Sequence, residues 1–175
     1  TVTDAACSGT ATFSITEPPQ VVITQNSLTN VNCFGGTDGA IDISASGGTG
    51  TITLAWSNGP TTPINNNLTA GNYTLVATDQ SGCTASATYT ITEPAQLVID
   101  PVVQVNATCG LNNGSLTGNA SGGTPAYTYT WGVQSTSAVL FGQNINGLAP
   151  GTYGLLVTDQ HDCAATASYV ITQSP

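Results

Sequence analysis

The sequence predicts an all-β protein built of tandem β-sandwich modules, Ig-like or fibronectin III-like, with about seven strands in each. Three observations carry this. One closing segment is written three times, at residues 3–18 (TDAACSGTATFSITEP), 78–94 (TDQSGCTASATYTITEP) and 158–175 (TDQHDCAATASYVITQSP). Within each copy small or apolar residues alternate with polar ones: Cys83, Ala85, Ala87, Tyr89 and Ile91 fall on one face, Thr84, Ser86, Thr88, Thr90 and Thr92 on the other. That period of two is a strand with one dry side and one wet side. The remaining chain is a series of short runs of the same kind, divided by Gly, Pro and Asn turns.

The repeat spacing sets the domains. Cys7 to Cys83 and Cys33 to Cys109 are both 76 residues apart (83 − 7 and 109 − 33). Residues 1–18 are thus expected to be the last strand of a preceding repeat, followed by sandwich repeats at 19–94 and 95–175. Modules of roughly 80 residues bury little apolar surface and tend to need a covalent or metal staple.

In the first repeat, QVVIT from Gln20 opens a strand after Pro18-Pro19. A turn-rich loop follows, Asn32-Cys33-Phe34-Gly35-Gly36-Thr37-Asp38-Gly39. AIDISAS then places Ile41, Ile43 and Ala45 inward and stops at Gly47-Gly48; TITLAWS places Ile52, Leu54 and Trp56 on one face. NGPTTPINNN has room for one or two short strands, and LTAGNYTLVATD turns Tyr73, Leu75 and Ala77 inward. The second repeat follows the same plan with Tyr127, Tyr129 and Trp131 inward. Its middle segment is longer and contains Val139-Leu140-Phe141, which predicts a better-formed middle strand. Pro101 falls inside its first strand and predicts an edge position or a bulge. Leu68-x-x-Gly71-x-Tyr73 and Leu148-x-x-Gly151-x-Tyr153 fit a tyrosine corner, in which the Tyr hydroxyl bonds nearby backbone. Trp56, Trp131, Tyr73 and Tyr153 are therefore read as structural.

Composition narrows function. The chain has no Lys or Arg against nine acidic residues, a formal charge of −9, where an average chain this long carries roughly 20 basic residues. Without cations it cannot neutralise nucleic-acid phosphates or anchor on anionic lipid, so neither partner is expected; with no apolar run near 18 residues, membrane insertion is not expected of this segment either. Five cysteines at fixed repeat positions point to an oxidising compartment. Cys33–Cys83 and Cys109–Cys163 are the expected disulfides, with Cys7 left to a partner upstream; the alternative joins repeats, Cys7 to Cys33 and Cys83 to Cys109. The intramodule pairs carry a geometric tension. A simple sandwich puts the loop holding Cys33 at the opposite end from the turn before Cys83, and a disulfide needs Cα atoms within about 7 Å.

Candidate chemistry is sparse. His161 is the sole imidazole, and the first repeat has Ser81 in its turn, so a solvated turn residue is the expected role. There is no Cys-x-x-Cys pair for zinc. Oxygen ligands suit calcium: Asp79 and Asp159 recur in the same turn, Asp162 joins the second of these, and Glu93 recurs with Glu17 at the joints, making Asp79, Asp159, Asp162 and Glu93 the candidate ligands. No other cofactor and no catalytic residue is expected.

The ordered set C-x-G-x-x-D-G (Cys33 to Gly39), S-G-G-T (Ser46 to Thr49 and Ser121 to Thr124), a following Trp, L-x-x-G-x-Y, T-D-x-x-x-C and I-T-E-P resembles the SprB repeat of large surface adhesins of gliding Bacteroidetes. The second repeat departs at Cys109-Gly110-Leu111-Asn112-Asn113-Gly114, one residue shorter with Asn in the Asp position. The resemblance implies a filament of tandem modules, exported by type IX secretion, displayed outside the outer membrane and moved by the gliding machinery. Its partners would be neighbouring repeats, that machinery, and an external surface or polysaccharide reached through other parts of the parent. The expected function is a non-catalytic stalk segment for surface attachment and gliding. The alternatives are a carbohydrate- or surface-binding module using exposed Tyr, Phe141 and Asn, or an accessory module of a secreted enzyme.

Overall fold

The computed structural model describes Val2–Thr3, Ser8–Gly9 and residues 11–174. Strand β1 (Val2–Thr3) pairs with β2 (Ser8–Gly9). Residues 11–21 form no strand, and Phe13 and Ile15 are 90% and 98% exposed. The closing strand expected there does not form over residues 11–21, and among the described residues no sheet receives it.

The first sandwich has two three-stranded antiparallel sheets. One orders β3 (Val22–Thr29), β4 (Gly39–Ser46) and β6 (Ile64–Leu68); the other orders β5 (Thr53–Trp56), β7 (Gly71–Thr78) and β8 (Thr84–Ile91). Six strands replace the expected seven, because residues 58–67 supply only β6. Ile41 and Ile43 of β4, Leu68 of β6, Trp56 of β5, Leu75 of β7 and Tyr89 and Ile91 of β8 meet between the sheets. Along β8 the period of two holds: its threonines are exposed, while Ala85, Ala87, Tyr89 and Ile91 turn inward with increasing burial.

The second sandwich keeps the plan. Its first strand is broken around Pro101 into β9 (Val98–Ile99) and β10 (Val103–Val105), edge segments that pair β13 (Ala120–Ser121) and β12 (Gly114–Thr117) respectively. A Pro lacks the N–H to continue a ladder: the edge position expected at Pro101 is found, and in place of a bulge the strand is interrupted there. β12 also pairs β16 (Asn144–Leu148). The facing sheet has four strands, β15 (Ala138–Phe141), β14 (Thr128–Val133), β17 (Gly151–Thr158) and β18 (Ala164–Ile171). Val139-Leu140-Phe141 lie in β15, an added edge strand, rather than in a better-formed middle strand: β16, like β6, has five residues. A short parallel pair, β11 (Ala107–Thr108) with β19 (Gln173–Ser174), closes the far end.

Every strand pairing among residues 22–174 stays within 22–91 or within 98–174. Each sandwich has two ends. At the leading end lie the Gly-Gly turn after β4 and the turn between β7 and β8. The loop between β3 and β4, residues 30–38, lies at the trailing end, where the N–H of Val31 reaches the Thr92 carbonyl at 3.0 Å. The chain passes from the trailing end of the first sandwich to the leading end of the second through Glu93-Pro94-Ala95.

Candidate functional site

The chemistry of this chain is concentrated at the joint between the sandwiches. Cys33, in the trailing loop of the first, is disulfide-bonded to Cys163, in the leading turn of the second, with Cα atoms 5.6 Å apart and 130 residues between them in sequence. Cys83 and Cys109 are free and exposed. Neither expected intramodule pair, Cys33–Cys83 or Cys109–Cys163, forms, and neither does Cys83–Cys109. The reason is distance. Cys33 and Cys83 sit at opposite ends of a sandwich whose strands run eight residues, about 26 Å at 3.3 Å per residue, far beyond disulfide reach. Cys33 instead faces the leading end of the following module. Cys7 lies outside the described residues. Closing a loop of this length contributes about 5 kcal/mol in the chain-entropy account.

The leading turn is built by two motifs that meet in space. Asp159 accepts the N–H of Thr124 at 2.7 Å through Oδ2, and the N–H groups of His161 and Cys163 at 2.8 and 3.0 Å through Oδ1. Asp79 does the same for Thr49 at 2.7 Å, Ser81 at 2.9 Å and Cys83 at 2.8 Å. The S-G-G-T segment therefore supplies the Thr N–H to the Asp of T-D-x-x-x-C. Its second glycine, Gly48 or Gly123, has φ of +64° or +56°, and an added Cβ would press on that carboxylate. Only glycine suits this position, for both conformation and space.

Both carboxyls are held below the usual aspartate range. For Asp79 the Thr49 N–H is the largest cause, opposed by burial and aided by the N–H groups of Cys83, Ser81 and Gly82. For Asp159 burial acts most strongly, against ionisation, and is outweighed by the N–H groups of Thr124, His161 and Cys163 together with the nearby His161 charge. These two calcium candidates are thus organisers of the turn that presents the cysteine. The third, Asp162, is exposed with φ of +61°, and Glu93 accepts the N–H of Gly35 at 2.6 Å, fastening the trailing loop to the joint. Among the described residues no three His, Cys, Asp or Glu side chains gather as a metal would require. His161 is exposed in its turn.

The trailing loop is also written twice. Asn30 accepts the N–H of Thr92 at 2.9 Å, and Asn106 accepts that of Thr172 at 3.1 Å. Asp38 ties the loop through the N–H of Asn32 at 3.2 Å, and in the second module Asn113 accepts the N–H of Thr108 at 2.9 Å. The Asp-to-Asn departure therefore preserves a hydrogen-bond role. Asn30 and Asn106 went unread in the sequence, although their separation of 76 (106 − 30) equals that of Cys33 and Cys109.

The residues read as structural take those places. Tyr73 and Tyr153 donate their hydroxyls to the carbonyls of Thr69 and Ala149 at 2.9 and 2.8 Å, the tyrosine corner. Trp56 and Trp131 are buried, with their indole N–H bonded to the carbonyls of Thr62 and Gly142, each at 3.0 Å. None of the six tyrosines is exposed, so of the aromatics considered for ligand stacking only Phe141 stands free, 74% exposed on the edge strand β15.

Residues 25–61 and 102–132 match the model of the SprB repeat. Two segments of the chain are thus similar to the SprB repeat. Both matches run from within the first strand through the cysteine loop and the S-G-G-T turn into the Trp-bearing strand. No curated protein matches the chain. Similar solved structures include the N-terminal eight Ig domains of Down Syndrome Cell Adhesion Molecule isoform 1.30.30, at 14% identity and TM-score 0.46, covering 90% of this chain and 25% of that one. DIP-gamma IG1+IG2 is similar at 11% identity and TM-score 0.43, covering 90% and 99%. The chain spans a quarter of the first of these in length. Among the described residues no helix is long and apolar enough to cross a membrane.

Proposed function

We propose that this chain is a non-catalytic stalk segment of a filamentous cell-surface adhesin, serving surface attachment and gliding motility outside the outer membrane after type IX export. The Cys33–Cys163 bond across the joint carries this reading. Two sandwiches joined by chain alone can swing about the linker. A second covalent link, set off from the linker, resists that swing and gives tension a parallel path. Persistence of such a bond calls for an oxidising compartment, which supports placement outside the cell. The SprB match supports a surface-adhesin repeat, and the absence of Lys and Arg leaves no site for trypsin-like proteases. Neighbouring repeats are the immediate partners; contact with the substratum and the machinery belongs to other parts of the parent.

Small-angle scattering of the oxidised and the reduced chain tests this. The oxidised chain should be extended, with a narrow distribution of dimensions, and reduction should broaden it without unfolding either sandwich. A compact particle, or dimensions indifferent to reduction, would contradict the stalk. Exposed Phe141 favours one second reading, a surface-binding module. Glycan and glass adhesion that is present in the isolated chain and lost in Phe141→Ser would replace the stalk by that reading.

A further inference from the structure

We infer that Cys83 and Cys109 are the unpaired halves of the same cross-joint disulfide, and that each bonds a neighbouring module of this kind in tandem. Cys109 would take the leading-turn cysteine of the module that follows it, and Cys83 the trailing-loop cysteine of the module that precedes it. In an array, one disulfide would then bridge every joint. The inference rests on the tandem-module reading but is independent of adhesion.

A free cysteine alone says nothing of its partner; here the chain itself displays the bond. Cys109 is the repeat equivalent of Cys33, and Cys83 that of Cys163, the two residues already joined. Each free thiol also keeps the bracket that its bonded counterpart has. Asp79 holds the N–H of Cys83 at 2.8 Å as Asp159 holds that of Cys163 at 3.0 Å. Asn106 pins the strand end beside Cys109 as Asn30 does beside Cys33.

The surroundings give a second observation. The crevice at the joint is lined by Gln96, Leu97, Cys163 and Ala164 from the second module, and is bordered by Cys33 and Phe34 from the first. A matching crevice lies at the leading end of the first module, lined by the equivalents Gln20, Val21, Cys83 and Thr84 beside Glu17, Pro18 and Pro19. It has the same floor, and it lacks the two residues that a preceding trailing loop would supply. At the other end, Leu111 stands 57% exposed two residues beyond Cys109, much as Phe34 stands 54% exposed beside Cys33.

Bond formation requires a disulfide-class oxidant, either a small disulfide or a thiol–disulfide oxidoreductase. One cysteine thiolate attacks the oxidant's disulfide and releases one of its thiols. The second thiolate then attacks the mixed disulfide and releases the other. Two cysteine thiols become one disulfide, and two electrons and two protons leave on the oxidant as two thiols.

The test is a three-module chain, in which a copy of residues 19–94 carrying Cys33→Ser, and so a single cysteine, follows Pro175 of the full chain, oxidised in a glutathione buffer. Cleavage on the amino side of aspartate puts Cys109 in peptide 100–158 and the original Cys83 in 79–99, while the added copy's cysteine falls in 79–94 at the new C-terminus. Peptide 100–158 should be linked to that terminal 79–94 peptide, and the original Cys83 should alkylate fully. In the two-module chain both Cys83 and Cys109 should alkylate. Cys109→Ser in the three-module chain should return the added cysteine to full alkylation and leave Cys33–Cys163 intact. Alkylation of Cys109 and the added cysteine while Cys33–Cys163 is formed would overturn the inference and leave the stalk reading standing. A Cys109 link elsewhere would overturn it too. Failure of Cys33–Cys163 itself would overturn both.

Discussion

The carboxylate of Asp159 accepts the backbone N–H of Cys163 at 3.0 Å, and the N–H of Asp159 returns to the Cys163 carbonyl at 3.0 Å. This two-way bracket fixes the cysteine before it meets Cys33 across the joint. Replacing Asp159 by Ala leaves the amides of Thr124, His161 and Cys163 without their acceptor, and a buried amide so orphaned costs about 1–3 kcal/mol. Asp159→Ala should lower the Tm and slow oxidation of Cys33 with Cys163, measured by calorimetry and by timed alkylation. Unchanged oxidation would separate the bracket from the bond.

The same bracket makes stability depend on acid in one direction. The Asp79 and Asp159 carboxyls are lowered in the folded protein from 3.8. Their contribution is therefore fully present above the unfolded value and is lost as pH falls through the lower folded values. From these two groups, Tm should be level between pH 7 and about 5 and fall below about 4. The chain carrying Asp79→Asn and Asp159→Asn should start lower and show a shallower acid limb. A limb of unchanged depth would assign the acid dependence to other carboxylates.

The tyrosine corners should behave as single hydrogen bonds. Tyr153→Phe removes the donor to the Ala149 carbonyl and keeps the ring in place. A loss of about 1 kcal/mol is expected in denaturant unfolding, with the same sign for Tyr73→Phe.

Burial separates two aromatics of the second module. Trp131 is fully buried and Phe141 is 74% exposed. Trp131→Ala should cost about 3–5 kcal/mol, whereas Phe141→Ser should stay within about 0.5 kcal/mol. A large loss at Phe141 would show that β15 is packed against something.

Most strands of the two sandwiches, the core faces, both tyrosine corners and the edge position of Pro101 were legible in the sequence because each depends on local pattern. Alternation gives a face, Leu-x-x-Gly-x-Tyr gives a corner, and Pro denies a ladder bond. The disulfide was not legible, because pairing is a fact of topology. The direction of each strand decides which end of a sandwich receives a loop, and strand direction is set by sheet order rather than by any short motif. The tension between the Cys33 loop and the Cys83 turn was visible in the sequence, and it marked the error. Asp79 and Asp159 were singled out as candidate calcium ligands since a recurrent carboxylate in a turn looks alike whether it meets a cation or backbone N–H groups. What distinguishes the cases is Thr49 and Thr124, about 30 residues away in sequence.

The central claim is that the Cys33–Cys163 bond spans the joint and shares its tension, and pulling a single chain by its two ends tests this most directly. In oxidised protein the bond should withhold the 130-residue span between the cysteines, so only the chain outside them can extend. Reductant should then release roughly 430–470 Å of additional length, at 3.3–3.6 Å per residue. Full extension of both sandwiches in the oxidised protein, with no further length on reduction, would contradict the account.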